Sequence, residues 1–257
     1  MSKIKRISVS AVRVILASSL LAVVPGWLSA GQAELDPEAV ELLRKSTSYV
    51  AGLQHFGLET HSAIEVVLVD GQKIQFDTAI AATVQRPNKL YAVRLGDLVE
   101  QEFFYDGQTL TLHQIDAGYY ATVDAPDTLE GMLDFARDSL DIVAPAGDFI
   151  YANAFDILME DLTSGFVVGP SFVEGVICDH LAFSKPGTDF QVWIQQGEQP
   201  LPRKIVITSR DIVNAPQFTV QIRDWNLTPG VSAEQFRFVQ PDEAQAIEFI
   251  LLDADGN

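Results

Sequence analysis

The residues that could do chemistry are few and poorly grouped. Cys178 is the only cysteine, and His180 follows it two residues on, so on a strand both project from one face. A thiolate–imidazole pair or half a metal site needs further ligands, and none is spaced to supply them. The other reading of Cys178 is a small buried thiol. His55, His61 and His113 are scattered. G-x-S-x-G and H-E-x-x-H are absent, and the one S-x-x-K, Ser2 to Lys5, lies at the extreme N-terminus. The closing "DADGN" opens like a calcium loop but lacks its later ligands and closing glutamate. Asp134, Asp138 and Asp141 repeat at three to four residues, the mark of a solvated helix face. This inventory calls for no catalytic residue, no metal and no cofactor, and the chain is read as a non-enzyme.

One charge stands apart. In "KIQFDTAIAATVQR" the side chains alternate, which puts Phe76, Ile80, Ala82 and Val84 on one face. Arg86 shares their parity just before Pro87-Asn88 ends the strand. The residue before a proline is held extended, so this arginine is a fixed charge at the mouth of an apolar face. It either grips a lid carbonyl or a ligand head group, or lays its stem on apolar surface with its head in water. Phe76, Ile80 and Val84, with Phe103, Leu110 and Leu112 from later strands, line a pocket or fill it.

The elements that must position these residues can be read in order. Asp36-Pro37-Glu38 starts a helix, with Asp as N-cap, Pro in the first turn and an acid at the positive dipole end. Apolar residues keep helical spacing to about Gln54, and Gly57 closes the helix. From residue 58 the period becomes two. Leu58 to Val69 and Lys73 to Arg86 flank Asp70-Gly71, a strong hairpin signal. Lys89 to Gly96 follows, then a hairpin around Asp106-Gly107, then "AGYYATVDAP" as its neighbour. Helix returns between Asp127 and Leu140, where Asp127 and Glu130 have capping-box spacing, and again from about Phe149 to Leu162. Strands resume at Phe166–Val168, Val173–Ser184, Phe190–Gln196, Arg203–Arg210, Gln217–Trp225 and a short Phe236–Val239. The tail from Asp242 is read as acidic and loose.

About eleven strands and three helices make an α+β chain with a dominant antiparallel sheet. A sheet that wide curls into a barrel or half-barrel. The helices are too few to line both faces, so they are expected in the concavity, with the other face in water. Phe218, Val220 and Ile222 alternate with Gln217, Thr219, Gln221 and Arg223, as that requires.

The ends and totals bound the setting. Lys3, Lys5, Arg6 and Arg13 precede an apolar run, Val14 to Val24, and "GQA" offers small residues for cleavage after Ala33. This is the secretory signal pattern. As a helix the run spans about 17 Å, too short for a bilayer core. Residues 1–33 are therefore expected to leave, giving a single exported domain over 34–257 with a helical insertion at about 127–162 and no stable membrane span. The whole chain has 17 Lys+Arg against 35 Asp+Glu, and the four basic signal residues leave with the signal. Such an acidic balance argues against nucleic acid and anionic membrane surfaces as partners. One cysteine forbids an internal disulfide, so the fold depends on its core.

The chain resembles the bacterial periplasmic lipoprotein carrier LolA and its relatives LolB-like in fold. The resemblance lies in the signal and opening helix, in "QRPNKL", in "YDGQTLTLHQIDAGYYATV" and in "SAEQFRFVQPDEA". It is closer still to an uncharacterised family of bacterial predicted periplasmic proteins with that fold, through "VWI…LPRKIVIT" and "DWNL". It implies a curved, incomplete barrel with helices as a lid over an apolar cavity. Arg86 stands at the carrier's functional arginine, and Phe236 and Phe238 match its Phe-x-Phe ending. A periplasmic protein holding a lipid or acylated protein is then expected, with Phe76, Ile80, Val84, Arg86, Phe103, Leu110 and Leu112 in contact with the ligand. The alternative expectation is an envelope interaction module with a filled core and a protein partner.

Overall fold

A computed structural model of the chain describes residues 35–142, 144 and 146–251. The signal segment and "DADGN" lie outside the described residues. Twelve strands form one open, curled sheet: β1 His55–Val67, β2 Lys73–Gln85, β3 Lys89–Gly96, β4 Glu100–Tyr105, β5 Thr109–Gln114, β6 Tyr119–Asp124, β7 Ser164–Val173, β8 Val176–Lys185, β9 Thr188–Gln195, β10 Pro202–Ser209, β11 Gln217–Asn226 and β12 Gln245–Ala246. Their order is β12-β6-β5-β4-β3-β2-β1-β11-β10-β9-β8-β7. All neighbours are antiparallel except β12 on β6. Three register shifts, at Glu59/Thr60, Val167/Gly169 and Pro202/Lys204, add to the twist that bends so wide a sheet.

The helices pack on one face, here called the inner face. Helix α1, Pro37–Gly52, is capped by Asp36, whose carboxylate accepts from the Glu38 N–H at 2.9 Å. Its Ala39 and Leu43 pack with Leu181, Phe183, Phe190, Val192, Ile205 and Val220. Its Val50 packs with Phe56, Val84, Leu90, Tyr105, Leu110, Ile222 and Trp225. Helix α2, Leu129–Leu140, closes that second cluster with Leu129, Met132 and Ala136. A 3-10 turn, Gly147–Ile150, and the short helix α3, Ala154–Met159, lie over the first through Phe149 and Leu158.

Several local expectations are corrected. Thr128, not Asp127, caps α2: its hydroxyl accepts from the Gly131 N–H at 3.1 Å, which frees Glu130 for another use. The helix expected over Phe149–Leu162 is a 3-10 turn plus six residues of α3. β7 runs on through Gly169-Pro170, which an edge strand tolerates because the missing N–H faces no neighbour. Phe236 ends a 3-10 turn, Ala233–Phe236, rather than starting a strand. The segment after Asp242 is anchored as far as Ile247, since Gln245 and Ile247 donate to the carbonyls of Gly118 and Tyr120 at 2.9 and 2.8 Å. Upstream of it, Phe238 lies against the rings of Phe104, His113 and Tyr120, so this stretch straps the outer face of the β4–β6 side.

Candidate functional site

Two areas of the inner face frame the site. The first lies under α2, where β2 ends and β3 begins. Arg86 points inward here, through a cis Arg86-Pro87 bond, with its side chain 9% exposed. Its Nη1 pairs with Glu130 Oε1 of α2 at 3.0 Å, and its Nη2 donates to the carbonyl of Ile150 at the end of the 3-10 turn. The same Glu130 oxygen accepts from the Ala152 N–H at 3.0 Å. Pro87 O accepts from the Leu129 N–H at 2.9 Å, so the start of α2 is fastened to the strand end as well. Tyr105 is fully buried and its hydroxyl reaches the carbonyls of Pro126 and Thr128 at 2.5 and 3.1 Å. Burial, with Asp127, Asp106 and Glu130 nearby, pushes its pKa up to about 12, so it stays a neutral donor. One cation and one phenol thus tie both helical segments to the sheet rim.

The second area is the far end of β1–β6, whose side chains lie outside both packed clusters. Register places Ile64 opposite Phe76, Thr60 opposite Ile80, Ile80 opposite Arg94, Arg94 opposite Gln101 and Phe103 opposite Leu112, all on the inner face. Ile64, Phe76, Ile80 and Leu112 belong to neither packed cluster. Ile64 and Val66 are 40% and 39% exposed, and Phe76, Ile80 and Leu112 are half-buried. Arg94 sits among them, its guanidinium 5.4 Å from the Phe103 ring centre. Its Nη2 donates to Gln101 Oε1, and Gln101 in turn donates to Gln114 Oε1 at 2.8 Å.

The expected contact residues therefore divide. Val84 and Leu110 are 1% and 2% exposed and fill the core beneath α2. Phe103 lies at the edge of that core. Arg86 joins α2 and the 3-10 turn to the strand end. Only Phe76, Ile80 and Leu112 face the open area. Arg94 went unread, although "LYAVR" gives Leu90, Ala92 and Arg94 one parity, the same signal that picked out Arg86. Two clefts lie elsewhere. One of about 770 Å³ runs between α1 and the β9–β10 turn, lined by Leu42, Arg44, Lys45, Tyr49, Ile194 and Pro200 among others. One of about 370 Å³ lies on the outer face near His61, Asp77 and Gln221.

Cys178 and His180 do share a face, the outer one, and are separately satisfied. Burial raises the Cys178 thiol pKa above its ordinary value, which opposes thiolate chemistry. His180 stacks on Trp193 at 4.0 Å and bonds Gln191 at 2.9 Å, and burial lowers its pKa below 6.5. Among the described residues no three His, Cys, Asp or Glu side chains gather as metal ligands.

A family model described as "Predicted periplasmic protein (DUF2092)" matches residues 39–250. No curated protein matches the chain. Among solved structures, LprF from Mycobacterium bovis matches at 12% identity and a TM-score of 0.47, over 84% of this chain and 100% of its own. The Mycobacterium tuberculosis lipoprotein LppX matches at 14% and 0.44, over 77% and 100%. The MucA/MucB complex of Pseudomonas aeruginosa contains a chain that matches at 15% and 0.43, over 82% and 63%.

Proposed function

The chain belongs to the DUF2092 family of predicted periplasmic proteins, and from that premise we propose that it carries or senses an amphiphile, a lipid or an acylated protein, on the inner face of its sheet. In this reading residues 1–33 are a signal removed after Ala33, and the exported chain works without catalysis. The observation that carries it is the apolar surface left outside both clusters, where Ile64 and Val66 stay 40% and 39% exposed beside Phe76, Ile80 and Leu112. A chain normally buries such residues or replaces them with polar ones; apolar side chains left open on the inner face, interrupted here by Ser62 and Thr78, are ones a ligand chain can cover. At about 0.8 kcal/mol per buried methylene, ten of them give roughly 8 kcal/mol, the micromolar scale before association costs. Arg86 then acts as the latch that fixes the roof beside the seat. Native mass spectrometry of protein taken gently from periplasmic extract should show a bound amphiphile on a chain beginning at Glu34. An empty chain that also fails to take up an apolar probe would sink the carrier reading.

The interaction-module reading has an observation of its own. β7 is one edge of the sheet, bridged only at Gly165 by Leu35 among the described residues, and its Phe166, Val168 and Phe172 are 52%, 51% and 71% exposed. An apolar edge of this kind accepts an added strand from a partner. Affinity capture from envelope extract separates the two, because a module recovers one protein whether or not lipid has been removed.

A further inference from the structure

The open half of the inner face holds one positive charge that no carboxylate answers among the described residues. Arg94 lies between Ile80 of β2 and Gln101 of β4, over the Phe103 ring. Its Nη2 is used by a neutral amide oxygen, and its Nε is buried with no acceptor. Among the described residues no carboxylate comes within ion-pair distance of it. Desolvation is the only influence on its pKa, and it lowers it, as expected for a cation drawn out of water without a partner. Arginine keeps its proton near neutral pH, so it cannot relieve the cost by becoming neutral. A half-buried charge without a counter-ion is retained against an energetic penalty that an anion would reduce.

We infer that Arg94 is the counter-charge for the anionic head of the bound amphiphile, and that the ligand is a long-chain carboxylate whose chain runs from Arg94 over Ile80 toward Phe76 and Ile64. The inference rests on the amphiphile-binding reading above and narrows it from any apolar chain to one with an acid at its end. The charge balance favours a built seat over general attraction. The chain's formal net charge of −18 repels anions at a distance, so an anion held here is held by short-range contacts. The η N–H groups that Gln101 leaves unused form the fork that meets both oxygens of a carboxylate. Gln101, braced by Gln114, keeps the guanidinium turned across the strands.

The test is equilibrium dialysis with labelled palmitate and with hexadecanol, which has the same chain and a neutral head, each below its aggregation limit. The wild-type protein should bind palmitate about ten- to a hundredfold more tightly, the range of a charge-assisted contact. Arg94→Gln should bring palmitate down to the level of hexadecanol and leave hexadecanol unchanged, and Arg94→Lys should keep most of the preference. Equal binding of acid and alcohol by the wild type, or a preference that survives Arg94→Gln, overturns the inference and leaves the apolar seat standing. Binding of neither overturns the amphiphile reading and this inference with it. Should Arg94→Gln fail to fold, the wild-type comparison of the two probes still decides.

Discussion

Arg86 and Arg94 project from the same face of the same sheet, each with a buried Nε that has no acceptor, and differ in what meets the rest of the guanidinium. Arg86 is 9% exposed, yet it has a carboxylate, a carbonyl and two helical segments around it. Arg94 has a neutral amide, an aromatic ring and apolar neighbours. The surroundings divide the same way: Val84 and Leu110 are packed solid beside the first, while Ile64 and Phe76 stay partly open near the second. Buried charge is affordable only when it is answered. One half of the face is finished as structure, and the other is left incomplete in both shape and charge.

That contrast can be broken at graded cost. The largest effect should come from Leu110→Ala, which empties packed core and should lower unfolding stability by about 3 kcal/mol in urea. Arg86→Met should cost about 2 kcal/mol, because Glu130 is left half-buried without its cation. Adding Glu130→Leu should return most of that loss, and faster amide exchange over residues 147–152 in the single variant should show the roof loosening. Arg94→Met should do the reverse, leaving thermal stability within about 1 kcal/mol of wild type or slightly above it. A loss as large as that of Arg86→Met would erase the distinction between the halves.

The smallest effect is set by pH and sharpens the comparison from the outer face. His180 is also a base lodged against a ring, but it can shed its proton. Its folded pKa lies below 6.5, chiefly from burial and also from Lys204. The unfolded state then binds the proton more readily, so stability is complete above about pH 6.5 and declines as pH falls through that value toward the folded pKa. His180→Gln should flatten this part of the stability profile, and Arg94→Met should leave it unchanged.

Punctuation made half of the fold legible. Asp70-Gly71, Asp106-Gly107 and Pro87-Asn88 mark the turns of β1–β6, and Asp36 marks the start of α1, because turn and cap chemistry is local. The rest depends on partners distant in sequence. Nothing near Thr128 tells that Glu130 is reserved for Arg86. Gly169-Pro170 looks like a break until β7 is known to be an edge. Phe236 alternates like a strand residue but is fixed by its full burial, and Gln240 is fixed by the Tyr120 hydroxyl 120 residues earlier, from which it accepts. At the site, parity found Arg86 and could have found Arg94. It could not say which of the two would be left without a counter-ion, since Glu130 and Ile150 come from another part of the chain.

The place of β11 in the strand order has a kinetic consequence. It is the only neighbour β1 has besides β2, so the seam at the middle of the sheet joins Ile64 to Phe218 and Gly57 to Asn226. Loop closure over so many residues makes such a seam slow to form. A chain delivered from its N-terminus must therefore wait with β1's second edge bare until almost its whole length has arrived. A truncation before residue 217 should never become native.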